Sequence, residues 1–113
     1  MKIGYKLYLD DLRMPKTLGP WVIARSFDEA VEIVKERGFP IYCSFDHDLG
    51  EEKTGYDFAK WLVEYELDEH DWFHDDFDFN VHSANPVGER AIIQYLNNYF
   101  SVRALTRIIG DGV

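Results

Sequence analysis

Four aspartates fall in two tight groups, Asp10-Asp11 and Asp46-His47-Asp48, and a third segment, His82-Ser83, joins an imidazole to a hydroxyl. If these segments meet in space, the carboxylates cannot all stay comfortably ionised. Two unit charges about 4 Å apart repel by about 4 kcal/mol at an effective dielectric near 20. A divalent cation such as Mg²⁺ or Mn²⁺ would offset that repulsion, because hard cations take carboxylate oxygens and keep waters that can meet a phosphate. A carboxyl with a raised pKa, acting as an acid, is the alternative. The plainer possibility is that one or two acids enter a cleft while the others cap turns and helices.

Other residues add to this chemistry or compete with it. Arg13 follows the first acidic pair closely enough to return a guanidinium to the same cleft, where it could grip a phosphate in bidentate fashion. His82 and Ser83 stand just before Asn85-Pro86-Val87-Gly88, a helix start whose free backbone N–H groups favour an anion. His47 has the opposite strand parity from Asp46 and Asp48, so it is either a buried supporting residue or a second proton carrier. His70 and His74, four apart in an acid-rich stretch, could share a metal, although scattered loop histidines are commoner. The dipeptide His47-Asp48 lacks the further ligands of a metal-dependent phosphohydrolase, and Ser83 lacks the glycine-flanked elbow of a serine hydrolase.

The elements that must position these groups follow from apolar spacing and caps. Tyr5 to Leu9 is an apolar run stopped by Asp10-Asp11, and Pro15, Gly19 and Pro20 make the next segment a loop. Trp21 to Ala24 reads as a short strand. Ser26 with Glu29 forms a capping box, Ala30, Ile33 and Val34 give an apolar stripe, and Gly38 and Pro40 end it, so a helix spans 27–37. Ile41 to Phe45 is apolar on both parities, as in a strand covered on both faces. Thr54 with Asp57 caps a helix of about three turns through Phe58, Ala59, Leu62, Val63 and Glu66, and the acidic run from Asp68 reads as loop. Phe77, Phe79 and Val81 alternate with polar residues as a half-covered strand. Asn85 and Pro86 open a helix to about Tyr99, and Val102 to Ile109 reads as a last strand. Strands alternating with helices imply an open, mostly parallel α/β sheet of four or five strands flanked by helices, and such sheets bind ligands at the strands' carboxyl ends. All three polar segments fall at those ends, which is the main argument for a site.

The 113 residues fit one domain, with its core over about 5–100, and 46% hydrophobic content excludes disorder as the overall state. The single cysteine, Cys43, rules out an internal disulfide and a zinc site of paired cysteines. With no apolar stretch near the roughly 20 residues of a membrane span and no apolar leader at the N-terminus, a cytoplasmic protein without a membrane partner is expected. A net charge of −9 argues against a broad face for duplex nucleic acid. Six acids between Asp68 and Asp78, with Asp10, Asp11, Asp46 and Asp48, hold nearly all of that excess.

Three stretches together carry a resemblance. Tyr8-Leu9-Asp10-Asp11-Leu12-Arg13, then Ser44-Phe45-Asp46-His47-Asp48-Leu49-Gly50 with Thr54-Gly55-Tyr56-Asp57, then His82-Ser83-Ala84-Asn85-Pro86-Val87-Gly88 resemble the signatures of the cyclic-phosphate processing receiver-like domains. The family is related to response-regulator receivers, whose acidic pair, aspartate and Ser or Thr look like Asp10 and Asp11, Asp48 or Asp46, and Ser83. Two departures stand out: the loop from Leu12 to Pro20 is too short for the first receiver helix, and no lysine follows Gln94. A phosphorylation switch on Asp48 is therefore disfavoured.

The resemblance implies a metal-assisted phosphoesterase that processes a cyclic phosphate, either the 2′,3′-cyclic end of an RNA or a cyclic nucleotide, so that its partner is a phosphorylated small molecule or an RNA end. In that reading Asp10, Asp11 and Asp48 hold Mg²⁺ or Mn²⁺, and His82, Asp46, Asp48 and His47 supply the catalytic groups, with Asp46 or His82 moving protons. Arg13, Ser83, Asn85 and Gly88 hold the phosphate. The competing expectation is a receiver-like module that binds a phosphorylated ligand or protein partner without turnover.

Overall fold

A computed structural model describes residues 4–17, 19–69 and 73–111, with the backbone alone for 106–111. In chain order the elements are β1 (Lys6–Leu9), β2 (Trp21–Ala24), α1 (Phe27–Arg37), β3 (Tyr42–Phe45), α2 (Gly55–Glu69), β4 (Asp78–Val81) and α3 (Pro86–Asp111). The strands form one parallel sheet in the order β2-β1-β3-β4.

Local signals set the helix ends. The Ser26 side chain accepts from the Glu29 N–H, and Gly38 closes α1 at φ 87°, a conformation glycine adopts without a Cβ penalty. Before α2, the Thr54 N–H donates to Asp57 Oδ2 at 2.8 Å while the Asp57 N–H donates back to Thr54 Oγ1 at 3.2 Å. Before α3, Asn85 Oδ1 accepts from the Gly88 N–H at 3.0 Å.

Parallel connections are right-handed, and from that rule the layers follow. The steps β2 to β3 and β3 to β4 run one way across the sheet, so α1 and α2 lie on a common face; the step β1 to β2 runs the other way and must cross the opposite face. On the helical side Leu7, Leu9, Cys43 and Phe45 are fully buried and join Ala30, Val34, Phe58, Leu62, Ile92 and Leu96 in one core. Among the described residues the other side carries the irregular β1 to β2 connection and no helix. Residues 41–45 are therefore not covered by helices on both faces as expected: Cys43 and Phe45 meet the core, while Tyr42 and Ser44 face a groove.

The expected strand over Val102 to Ile109 is absent, because α3 runs on to Asp111. The β-branched residues there suggest a strand, yet no glycine or proline interrupts the chain between Gly88 and Gly110, so nothing stops the helix. Packing favours continuation too: Arg103, one turn beyond Tyr99, brings its Nε within 3.3 Å of the buried Glu66 carboxylate, which also accepts from Tyr99 and from the Phe73 N–H. Helix α2 likewise reaches beyond the expected three turns and takes in Asp68 and Glu69.

Candidate functional site

Register places the polar groups before any tertiary contact is considered. Residues paired across a sheet share a face, so Trp21, Lys6, Tyr42 and Asp78 form one row on the open side, and Ile23, Tyr8, Ser44 and Asn80 form the next. One step further the ladder closes with the Asp46 N–H on Leu9 O and the His82 N–H on Phe45 O, which sets Asp10, Asp46 and His82 side by side at the carboxyl edge. Their ligand atoms all lie within 4.8 Å of one another.

Asp10 is 1% exposed and accepts four hydrogen bonds. Its Oδ1 takes the N–H groups of Leu12 at 2.9 Å and Arg13 at 2.8 Å. Its Oδ2 takes Arg13 Nε at 2.8 Å and His82 Nε2 at 3.0 Å. Burial alone would push this carboxyl up, but the N–H groups of Arg13 and Leu12 and the His82 ring overcome it and hold the pKa below the usual carboxylate value. Asp46 goes the other way: burial, reinforced by the charge of Asp10, raises it despite the opposing pull of Arg13.

An ionised carboxylate only accepts, so His82 Nε2 carries the proton that binds Asp10. Burial lowers the His82 pKa even with Asp10 opposing it, which favours the neutral ring. Its Nδ1 then accepts from the Ser44 hydroxyl at 2.7 Å. The ring also lies flat on Tyr8, with centroids 4.5 Å apart and planes 5° from parallel. Ser44, His82 and Asp10 thus form a hydrogen-bonded string running from the groove to the acidic edge.

Arg13 bridges the group, with Nη2 donating to the His82 carbonyl at 3.2 Å and standing 3.4 Å from Asp46 Oδ1. Arg25, at the end of β2, fixes the loop that carries it by donating to the carbonyls of Asp10 at 3.0 Å and Arg13 at 2.7 Å.

The remaining expected site residues lie around this centre. Asp11 and Asp48 stand outside the close group. Asp11 turns toward Gly50, where a Cβ would lie 2.8 Å from its Oδ2. Asp48 is 67% exposed and accepts from His47 Nδ1 at 2.9 Å, a bond that, with help from Asn85, holds its pKa low. The ring of His47 packs on the bare backbone of Gly88, where a Cβ would come within 2.3 Å. Ser83 Oγ accepts from the Asn85 N–H at 3.0 Å, so Ser83, Asn85 and Gly88 are bonded into the turn that opens α3. His70 lies outside the described residues, and its possible metal partner His74 is bonded through Nε2 to the Phe39 carbonyl at 3.2 Å.

Reading the sequence missed Ser44, Tyr8 and Arg25. The first two share the parity of Asp46 and Asp10, a signal present in the chain, whereas the reach of Arg25 across the loop has no local signature.

A groove of about 680 Å³ lies over the open face, with Tyr8, Ser44 and His82 in its wall. Asp10, Asp46 and His82 are close enough together to be able to hold a metal ion, which would compete with the hydrogen bonds Asp10 accepts and with Arg13, the present counter-charge of the two carboxylates.

A four-stranded parallel sheet with acidic groups at the carboxyl ends of its central strands defines a receiver-like α/β domain. The chain matches the cyclic-phosphate processing receiver domain over residues 5–98 and belongs to that family. Comparisons with curated proteins and with solved structures give no match.

Proposed function

We propose that the protein hydrolyses a cyclic phosphate ester, either the 2′,3′-cyclic end of an RNA fragment or a cyclic nucleotide, at the carboxyl edge of its sheet. The observation that carries this reading is the string Ser44, His82, Asp10 beside Arg13 on the groove wall. Asp10 fixes the tautomer of His82 and leaves Nδ1 as the proton acceptor. The attacking water takes the place of the Ser44 hydroxyl as donor to Nδ1 and loses its proton there, as its oxygen bonds to phosphorus and one ring P–O bond breaks; the departing oxygen stays on the product and takes up a proton from Asp46 or from water to become a hydroxyl. Arg13, which pairs with Asp10 and Asp46 in the absence of a cation and is released where they take one, meets the charge of the phosphate. Asp10 and Asp46 are the carboxylates that would hold Mg²⁺ or Mn²⁺, which would supply Lewis-acid stabilisation of negative charge there. Ser83 and Asn85 serve the site by ordering the turn that leads from His82 into α3.

The test is a panel of 2′,3′-cyclic mononucleotides, cyclic dinucleotides and RNA with cyclic-phosphate ends, each with and without Mn²⁺. His82→Ala should lower kcat by about 10² to 10⁴ with a smaller change in KM, because a proton carrier acts mainly in the transition state. Arg13→Ala should raise KM as well. Wild-type turnover in both variants would refute the assignment. Binding in calorimetry with hydrolysis of no member would replace it with a non-catalytic module that uses the same cleft.

A further inference from the structure

Resting on that reading, we propose that the open sheet face is the seat of the nucleobase of the substrate, with Trp21 and Tyr42 as its stacking surface. The ligand is a nucleoside carrying the cyclic phosphate, free or at the end of an RNA strand.

Topology leaves this face without a helix, and what the chain puts there is not ordinary solvent-facing polarity. Trp21 stands edge-on to both Tyr8 and Tyr42, with centroids 5.7 and 6.0 Å away, and Lys6 Nζ lies 5.5 Å from the Trp21 ring centroid. All four residues line the groove. Aromatic rings interleaved with cations are what single-stranded nucleotides bind, since every base has a π-face and every link a negative charge.

Charge complementarity separates this face from the rest of the molecule. The chain carries −9, yet the charged residues lining the groove are Lys6, Arg13 and Lys16, with no Asp or Glu among them. Asp78 stands beside Tyr42 in the same row but outside the lining, so the groove itself offers an anionic ligand cationic groups on an otherwise acidic molecule.

Geometry then selects a nucleoside over a bare ester. The row of Trp21, Lys6 and Tyr42 lies four residues before the row of Asp10 and Asp46, about 13 Å along the strands. A nucleoside phosphate lying along the strands spans more of that distance from Arg13 than a small alkyl or sugar cyclic phosphate can. The groove is continuous between the two, with Ser44 and His82 at one end and Trp21 and Tyr42 at the other.

Calorimetry with adenosine 3′-phosphate and glycerol 1-phosphate measures the contribution of the base without turnover. The wild type should bind the nucleotide at least about tenfold tighter, since stacking on one ring is worth about 5- to 150-fold. Trp21→Ala and Tyr42→Ala should each bring the nucleotide toward the affinity of glycerol phosphate, and Trp21→Phe should keep most of the difference. If Trp21→Ala does not fold, Tyr42→Ala and Trp21→Phe decide the question. An RNA oligonucleotide with a 3′-phosphate that binds tighter than the mononucleotide assigns the RNA end; equal affinity assigns the free nucleotide. Equal binding of nucleotide and glycerol phosphate overturns the proposal, as does a ratio unchanged within twofold in both alanine variants. Base-independent binding with concentration-dependent dimerisation would instead mark the face as an interface. Hydrolysis measured on the same samples separates the two ideas. Base-dependent binding without hydrolysis of adenosine 2′,3′-cyclic phosphate removes the reaction and keeps the base seat. Equal kcat/KM for adenosine and glycerol cyclic phosphates removes the base seat and keeps the reaction.

Discussion

Arg13 and a divalent cation would neutralise the same pair of carboxylates, so removing the arginine should make the protein both weaker and more responsive to metal. Arg13 Nε is 2.8 Å from Asp10 Oδ2, and Nη2 is 3.4 Å from Asp46 Oδ1. The ligand atoms of the acidic group are at most 4.8 Å apart, a separation at which two ionised carboxylates repel by about 3.5 kcal/mol at an effective dielectric near 20. The arginine side chain is 50% exposed, so water already screens part of its attraction. Arg13→Ala should therefore cost about 1–2 kcal/mol in the presence of a chelator, a fall in Tm of about 4–10 °C. A cation present at about 100 times its Kd adds about 2.7 kcal/mol by mass action. In the wild type some of that gain is spent on displacing the guanidinium, and in the variant none is. Thermal melts in EDTA and across a millimolar Mn²⁺ titration should show a lower starting Tm and a larger metal-dependent rise for Arg13→Ala. A variant as stable as the wild type in EDTA, or one that gains no more from metal, would refute the shared counter-charge.

Gly55→Ala tests whether the first turn of α2 presses on the acidic loop: a Cβ there would lie 1.8 Å from the Asp46 carbonyl oxygen, so a loss of at least about 2 kcal/mol is expected in denaturant titration, and a stability gain typical of Gly→Ala in a helix would contradict the packing. Asp57 has its pKa lowered mainly by the Thr54 N–H, with burial opposing. Its folded pKa is below its unfolded one, so its contribution is present above about pH 4 and lost as pH falls through the folded value. Asp57→Asn should accordingly melt lower than the wild type at pH 7, with the two curves converging toward pH 3; a constant gap across that range would argue against the cap.

How much of this was legible in the sequence depends on whether the signal was local. Helix α1 was readable from end to end because Ser26, Glu29 and Gly38 act within a turn of themselves. Arg13 beside Asp10 was equally plain from spacing. The close group of Asp10, Asp46 and His82 was not. Asp10-Asp11 and Asp46-His47-Asp48 look alike as dipeptide and tripeptide, but alternation turns Asp11 away from Asp10, and the strand stops at Phe45, so Asp48 does not keep the side that its parity with Asp46 would give it; Asp10 and Asp46 are the acids brought together with His82. Ser44 was hidden inside an apolar run, although its parity with Tyr42 and Asp46 marks it as an outward residue. The end of α3 was misjudged because β-branched residues were weighed against a tertiary anchor, Arg103 on Glu66, that joins residues 37 apart in sequence.

The open face follows from one absence acting through the handedness of parallel connections. In the order β2-β1-β3-β4 the only connection obliged to cross that side is the one between β1 and β2, and here it is an irregular loop. A helix in its place would cover Tyr8, Trp21, Tyr42 and Ser44 and bury them as core. The loop leaves a groove instead, and because Arg25 holds it by the carbonyls of Asp10 and Arg13, the same short segment carries Arg13 to the acidic edge. Lengthening it into a helix would therefore remove both features together, closing the approach to His82 and withdrawing the guanidinium that faces it.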